Sequence, residues 1–131
     1  MRKELFIYST GWMAAIAAIG GTAVGTVTIA ADAPFELHYI TASVRQGGAG
    51  LEVLITAWAG TVQIKFVALG KDLSNLAVPL ACLQGSGQLP YVISPPLRMS
   101  INSSMVVSVA SNIATRTEVS VDFHGHKVYA P

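Results

Sequence analysis

The residues that most invite a chemical interpretation are two histidines near the carboxyl end, His124 and His126, which flank Gly125. Side chains two residues apart on a strand point to the same side, so these imidazoles could share a metal ion. A structural zinc site needs four ligands, however, and a catalytic one needs three. The remaining histidine, His38, is far away in sequence, and Asp122 is the acidic residue near the pair. We therefore predict solvent-facing or hydrogen-bonded histidines at a strand end, with no metal and no cofactor.

Other short motifs lack the setting that their chemistry requires. The Gly-Ser-Gly motif at residues 85–87 has no strand–elbow–helix pattern around it, so it is not a hydrolase nucleophile. The glycine-rich residues 47–50 precede no helical pattern that could hold a phosphate, and they are typical of a loop. The seven acidic residues are spread along the chain. These patterns predict no catalytic residues and a protein that is not an enzyme.

Composition indicates that part of the surface is covered by other molecules. Of the 131 residues, 52% are apolar and 11% are charged, whereas soluble domains carry about 25% charged residues. A chain of this length forms one domain, and a small domain leaves much of its surface in water. The cover could be identical subunits, a larger assembly or a lipid bilayer.

Charge and cysteine content exclude further classes of function. The net charge is +1 and the eight basic residues form no stripe, so we predict no nucleic-acid partner. The single cysteine, Cys82, cannot form a disulfide within the chain and lies between apolar residues. It predicts a buried, unreactive thiol in a protein made in a reducing compartment.

The amino-terminal segment has three interpretations. No charge lies between Glu4 and Asp32, so residues 11–31 could be a transmembrane helix, or the basic start could begin a cleaved signal peptide. The many glycines and threonines make a poor membrane helix. We therefore predict that residues 1–23 form an arm or short helix held by neighbouring chains. Its assembly interface would contain Phe6, Tyr8, Trp12, Met13, Ile16 and Ile19.

The rest of the chain, residues 24–131, has the pattern of a β-sandwich domain. Apolar and polar residues alternate at 62–66 and 119–123, and residues 105, 107 and 109 are apolar at every second position, as expected of strands with one face on a core. The runs at 51–58 and 61–67 flank Ala59 and Gly60 and indicate a hairpin. About eight short strands, spaced roughly ten residues apart, predict an all-β, antiparallel sandwich of jelly-roll type.

Three stretches of the chain carry motifs in a fixed order. Residues 27–37 read as a strand followed by Asp32 and Pro34-Phe35 before the next strand. Residues 79–85, with prolines at 90, 95 and 96, form a segment marked by Gly and Pro. The ending, residues 102–104 and 119–129, contains a strand that closes with hydrophobic-His-Gly-x-Lys. These stretches resemble the opening strand, the crossover and the final strand of small virion proteins of tailed bacteriophages. The resemblance spans residues 24–129 in order, and the apolar segment 1–23 departs from it.

The resemblance implies a capsid decoration or cement subunit, located in the virion after synthesis in the host cytoplasm. Its partners would be further copies of itself, with a trimer favoured, and the major capsid protein or other virion proteins. Alternatives are a head–tail, tail or fibre-base component, or a membrane-anchored binding module with residues 11–31 in the bilayer. A carbohydrate-binding sandwich with Trp58 or Tyr91 as a stacking platform is a further alternative.

Overall fold

The protein is described by a computed structural model that covers residues 2–48, 50–55, 58–74, 76–80 and 91–130. Cys82, the motif at residues 85–87 and Pro90 lie outside the described residues. No described helix is long and apolar enough to cross a membrane, and the single described helical element is a 3₁₀ turn at Val67–Leu69. The described strands are β1 (Arg2–Ser9), β2 (Thr22–Thr28), β3 (Phe35–Gln46), β4 (Val53–Ile55), β5 (Gly60–Phe66), β6 (Lys71–Asp72), β7 (Val78–Pro79), β8 (Tyr91–Met99), β9 (Ser104–Ser111) and β10 (Thr117–Tyr129).

These strands form two antiparallel sheets. In the first sheet β1 pairs with β10, β10 with β3, and β3 with both β4 and β8. In the second sheet β2 pairs with β9, β9 with β5, and β5 with both β6 and β7. With β6 and β7 taken as one interrupted strand and β4 as an addition, this order is that of two interleaved Greek keys, a jelly roll. The predicted antiparallel sandwich is confirmed.

The core lies between the sheets and is built by period-two alternation. Inward residues of β3 and β10, such as Phe35 and Phe123, are fully buried, and so are Ile64 and Phe66 of β5. Burial of one large apolar side chain contributes about 1.5–3 kcal/mol. The predicted inward positions are confirmed as buried: Val62, Ile64, Phe66, Met105, Val107, Val109, Val119, Val121 and Phe123.

The predicted hairpin at residues 51–67 is wrong. β4 pairs with β3 in the first sheet, whereas β5 pairs with β9 in the second. Between them the chain crosses from sheet to sheet at Trp58, which is 7% exposed and packs in the core. A Cβ at Gly60 would collide with the Trp58 ring, so this glycine makes room for the indole and forms no hairpin turn. Because the ring is buried, Trp58 cannot stack on a sugar.

The amino-terminal segment is part of the sandwich, where an arm or short helix was expected. β1 pairs with β10 along its full length, because thirteen-residue β10 needs a partner on its second edge. Residues 22–28 of the segment considered as a membrane helix form strand β2. Beyond β1 the chain stays beside β10 through backbone N–H groups that donate to backbone carbonyls: Thr10 to Val121, Met13 to Val119 and Ile16 to Thr117.

An ion pair joins the end of β10 to the loop before β3. Lys127 is 8% exposed, and its Nζ donates to the two carboxylate oxygens of Asp32 at 2.9 and 3.2 Å. The Tyr129 hydroxyl donates to the same carboxylate at 3.1 Å. The hydrogen bond from Lys127 outweighs burial and holds the pKa of Asp32 below its ordinary value of 3.8. In return it raises the pKa of Lys127 above 10.5.

This pair predicts a pH-dependent contribution to stability. A carboxyl whose pKa is lowered by folding stabilises the fold above its unfolded pKa, and that stabilisation is lost as pH falls through the folded pKa. We expect Asp32→Asn to lower the melting temperature at pH 7 and to reduce the further drop between pH 5 and pH 2. Thermal melts followed by circular dichroism test this. Asp122→Asn is the control, because Asp122 forms no ion pair with a described residue; equal effects of the two variants would refute the prediction.

Candidate functional site

The outer face of the first sheet carries a groove of about 550 Å³. It lies where β1, β10, β3 and β8 meet, on the side away from the core. Its lining combines apolar side chains with imidazoles, and it is the candidate functional site. The lining residues are Leu5, Phe6, Ile7, His38, Tyr39, Val92, Ile93, Ser94, Pro96, His124, Gly125 and His126.

The groove forms because the central strand pairing is irregular at this point. On β10, His124 pairs with Tyr39 and the next residue, Gly125, pairs with Leu37, which leaves His38 as an extra residue on β3. On the other side of β3, the residues of β8 that pair with it pass directly from Val92 to position 97, so residues 93–96 lie outside the strand pairing. Bulges of this kind re-aim side chains and often accompany functional sites.

Gly125 allows β10 to approach β3 closely beneath the groove. A Cβ at this position would collide with the Glu36 carbonyl oxygen and would lie 3.0 Å from the Phe35 ring. The first contact is with backbone, which cannot rotate away. Only glycine therefore fits between the strands here, and the irregular register depends on it.

The three histidines of the chain all line this groove, but they do not act as one group. The His38 and His126 rings meet edge to face with their centroids 4.8 Å apart. His124 instead stacks on Tyr39 at 4.4 Å, and its Nε2 lies 2.8 Å from the Thr41 hydroxyl. The sequence pattern paired His124 with His126, whereas the fold pairs His126 with the distant His38.

Glu36 adds a carboxylate to the His38–His126 pair. Its Oε1 lies 2.7 Å from His38 Nε2 and accepts a hydrogen bond from Lys3 Nζ at 3.3 Å. The hydrogen bond with His38 is the main reason that the pKa of Glu36 lies below 4.5, and Lys3 lowers it further. The ligand atoms of Glu36, His38 and His126 all lie within 4.8 Å of one another. Such a set can bind a metal ion or exchange protons.

Strand β1 forms the exposed rim of the groove. Leu5 pairs with His126 and Ile7 pairs with His124, so Leu5 and Ile7 both face outward beside the imidazoles. Leu5 is 78% exposed and Ile7 is 55% exposed. In the described part of the chain, no strand pairs with the other edge of β1. An unpaired edge next to exposed apolar side chains is a place where another chain can add a strand.

The residues predicted for an assembly interface occupy different environments. Met13 and Ile16 fill the chain's own core, which accounts for their apolar character without a neighbour. The others are distributed as follows: Phe6 packs on Tyr8 at 4.7 Å, Tyr8 packs on Phe35 at 4.9 Å, Trp12 lies over the Arg45 guanidinium at 4.3 Å, and Ile19 is 73% exposed. Their role in assembly stays a prediction.

Sequence reasoning missed Leu5 and Ile7 on the rim and the pairing of Glu36 with His38. The sequence did contain a signal for Leu5 and Ile7, because residues 5–8 are an uninterrupted apolar run after a charged start. Glu36 and His38 stand two residues apart on a strand, which places them on one side. Their meeting with His126 depends on strand register, which no local pattern reveals.

Comparison with known proteins finds a likeness to a solved structure. No protein-family model matches the chain, and no curated protein matches it. Among solved structures, the chain resembles a family 35 carbohydrate binding module from an environmental isolate, at 16% identity and a TM-score of 0.36. The match covers 93% of this chain and 80% of the other. A likeness at this TM-score carries no argument about the chain's function.

Proposed function

We propose that the chain is a structural subunit without catalytic activity, which assembles with copies of itself through β1 as part of a bacteriophage virion. The observation that carries the proposal is the open edge of β1 with its exposed apolar residues. The virion setting rests on the resemblance at residues 27–37 and 119–129 and on the jelly roll, an architecture common in viral capsids. Fold alone does not give function, so the edge and its chemistry carry the argument.

The second half of β1 lacks the devices that normally protect an edge strand. Natural edge strands are protected against pairing with other chains by proline, by charge, by bulges or by being very short. β1 has eight residues and no proline, and its charges, Arg2, Lys3 and Glu4, all precede Leu5. At the opposite side of the sheet, β8 contains Pro95 and Pro96, which have no N–H to donate. β1 is therefore the better edge for strand addition.

A second β1, arranged antiparallel about a two-fold axis, is the partner that fits this edge. Residues opposite one another in an antiparallel pair lie on the same face. The axis normal to the sheet therefore keeps Leu5 and Ile7 of both copies on one outer surface. Such an isologous contact closes on itself. A trimer, which the resemblance implies, would need β1 to contact a different surface of the next subunit.

The small share of charged residues supports assembly of this kind. A sandwich with 11% charged residues and exposed Leu5, Ile7 and Val92 on one face leaves apolar surface in water as a single chain. Contact with a copy buries that surface, and each Å² of buried apolar surface stabilises the pair by about 25 cal/mol. The more specific role, a capsid cement or decoration subunit, follows from the same resemblance.

The virion role is tested on particles of the phage that encodes the chain. After density-gradient purification, quantitative mass spectrometry is expected to find the chain in a fixed ratio to the major capsid protein. The same preparation treated with protease before disruption shows whether the chain is exposed on the particle. Presence of the chain in infected cells together with its absence from purified particles would overturn the virion role and leave self-assembly to be judged separately.

A further inference from the structure

We propose that Glu36, His38 and His126 form a binding site for a divalent transition-metal ion, and that Zn²⁺ is the ion this donor set fits best. Two imidazoles and one carboxylate are common zinc ligands, and three protein ligands leave a fourth position for water or another donor. The ligand atoms of the three side chains lie within 4.8 Å of one another. The site goes beyond the proposed structural function and does not depend on it.

The strand pairing holds the three residues ready for an ion. Glu36 and His38 project from the same side of β3, and His126 is the direct cross-strand partner of Glu36. Ligand atoms about 2.0–2.1 Å from a tetrahedral zinc ion are about 3.3 Å apart. The present separation of Glu36 Oε1 and His38 Nε2 is 2.7 Å. An ion therefore requires this pair to open slightly and the His126 nitrogen, which lies within 4.8 Å of both, to join them.

The polar groups around the cluster favour a cation. Glu36 already attracts Lys3, whose Nζ lies 3.3 Å from its carboxylate, and the Lys3 side chain is 49% exposed and free to swing into solvent. The Nδ1 atom of His126 is buried and has no hydrogen-bond partner among the described residues. A buried polar atom without a partner costs free energy, and because either imidazole nitrogen can ligate a metal ion, ligation through Nδ1 would supply that partner. A metal ion would replace Lys3 as the counter-charge.

His124 provides an internal comparison within the same groove. Its ring stacks on Tyr39 and its Nε2 contacts the Thr41 hydroxyl, so its polar atom already has a partner. It is absent from the cluster of ligand atoms that lie within 4.8 Å. The structure therefore places two histidines in the proposed site and one outside it.

Isothermal titration calorimetry with Zn²⁺ tests the site. The full-length, tag-free chain is used with Cys82→Ser, treated with EDTA and then dialysed, because a thiol or a histidine tag would bind zinc itself. We expect one Zn²⁺ per chain. Glu36→Gln and His126→Asn are each expected to weaken binding by roughly 100-fold or more, since even outer-shell changes cost 10–100-fold. His124→Asn is the matched control and is expected to stay within about twofold.

Circular dichroism melts establish that each variant is folded. Zn²⁺ binds the folded chain, so it is expected to raise the melting temperature of the Cys82→Ser chain but not of His126→Asn. If His126→Asn fails to fold, NMR of the Cys82→Ser chain decides the question. Zn²⁺ is then expected to shift the ring signals of His38 and His126 and to leave the ring signal of His124 unshifted. Absence of binding heat, or equal loss of binding in His124→Asn, would overturn the site.

Discussion

Replacement of Gly125 with alanine is expected to lower the free energy of unfolding by about 3 kcal/mol or more. The new Cβ would collide with the Glu36 carbonyl oxygen and lie 2.9 Å from the Glu36 carbonyl carbon and 3.0 Å from the Phe35 ring. The strand pair of β10 and β3 lies in the middle of the first sheet, and Phe35 is fully buried. Relief of the collision would push these two strands apart and disturb the core.

Urea unfolding followed by circular dichroism measures this loss, and Gly48→Ala is its control. A Cβ at Gly48 meets no atom within 4 Å, so this substitution is expected to change stability by no more than about 0.5 kcal/mol. The same chemical change is thus compared at a crowded and at an open position. Equal unfolding midpoints for the two variants would show that β3 and β10 are not as close at the bulge as described.

Leu5→Lys is expected to separate the assembly into single chains and leave the fold intact. Leu5 is 78% exposed in the single chain, so the substitution costs the isolated sandwich little, within about 0.5 kcal/mol. In the proposed β1–β1 contact, however, it places two ammonium groups near the two-fold axis. Like charges brought together in an interface cost several kcal/mol, and lysine is a residue that natural edge strands use against pairing.

Leu51→Lys is the matched control for this experiment. Leu51 is 79% exposed, so the size, charge and exposure of the two substitutions agree, but Leu51 lies between β3 and β4, away from β1. Size-exclusion chromatography with light scattering gives the mass, and thermal melts give the stability. The β1 interface is refuted if Leu5→Lys keeps the mass of the parent chain, or if Leu51→Lys lowers the mass equally.

The sandwich could be predicted because its core strands carry their own pattern. Val62, Ile64 and Phe66 alternate with polar residues, as do the inward residues of β10, and β9 has an apolar residue at every second position. Alternation is a local property that survives any choice of partner strand. The two-sheet jelly roll follows from many such strands in a chain of this size.

The prediction of a hairpin at residues 51–67 was wrong because the local pattern does not determine which sheet a strand joins. Two extended runs around a glycine fit a hairpin and a crossover between sheets equally well. The difference is made by Trp58, whose buried ring occupies the space beside Gly60. A tryptophan two residues before a glycine is as consistent with a core anchor as with a turn, and only tertiary packing decides between them.

The candidate site could be predicted in part. The same-side placement of His124 and His126 follows from strand periodicity, and both line the groove. The meeting of His38 with His126 depends on a bulge that places one extra residue on β3. The position of that bulge is set by Gly125 and the Glu36 carbonyl across two strands, a long-range contact that the sequence does not encode locally.

The central claim, assembly through the open edge of β1, is tested most directly by the mass of the full-length chain in detergent-free buffer. Light scattering after size exclusion, over a hundredfold range of loading concentration, is the measurement. The account predicts a defined mass at an even multiple of 13.7 kDa, because the two-fold pair of β1 strands is the unit of assembly. A mass of 13.7 kDa at every concentration would contradict it and would leave β1 as a stable, unpaired edge.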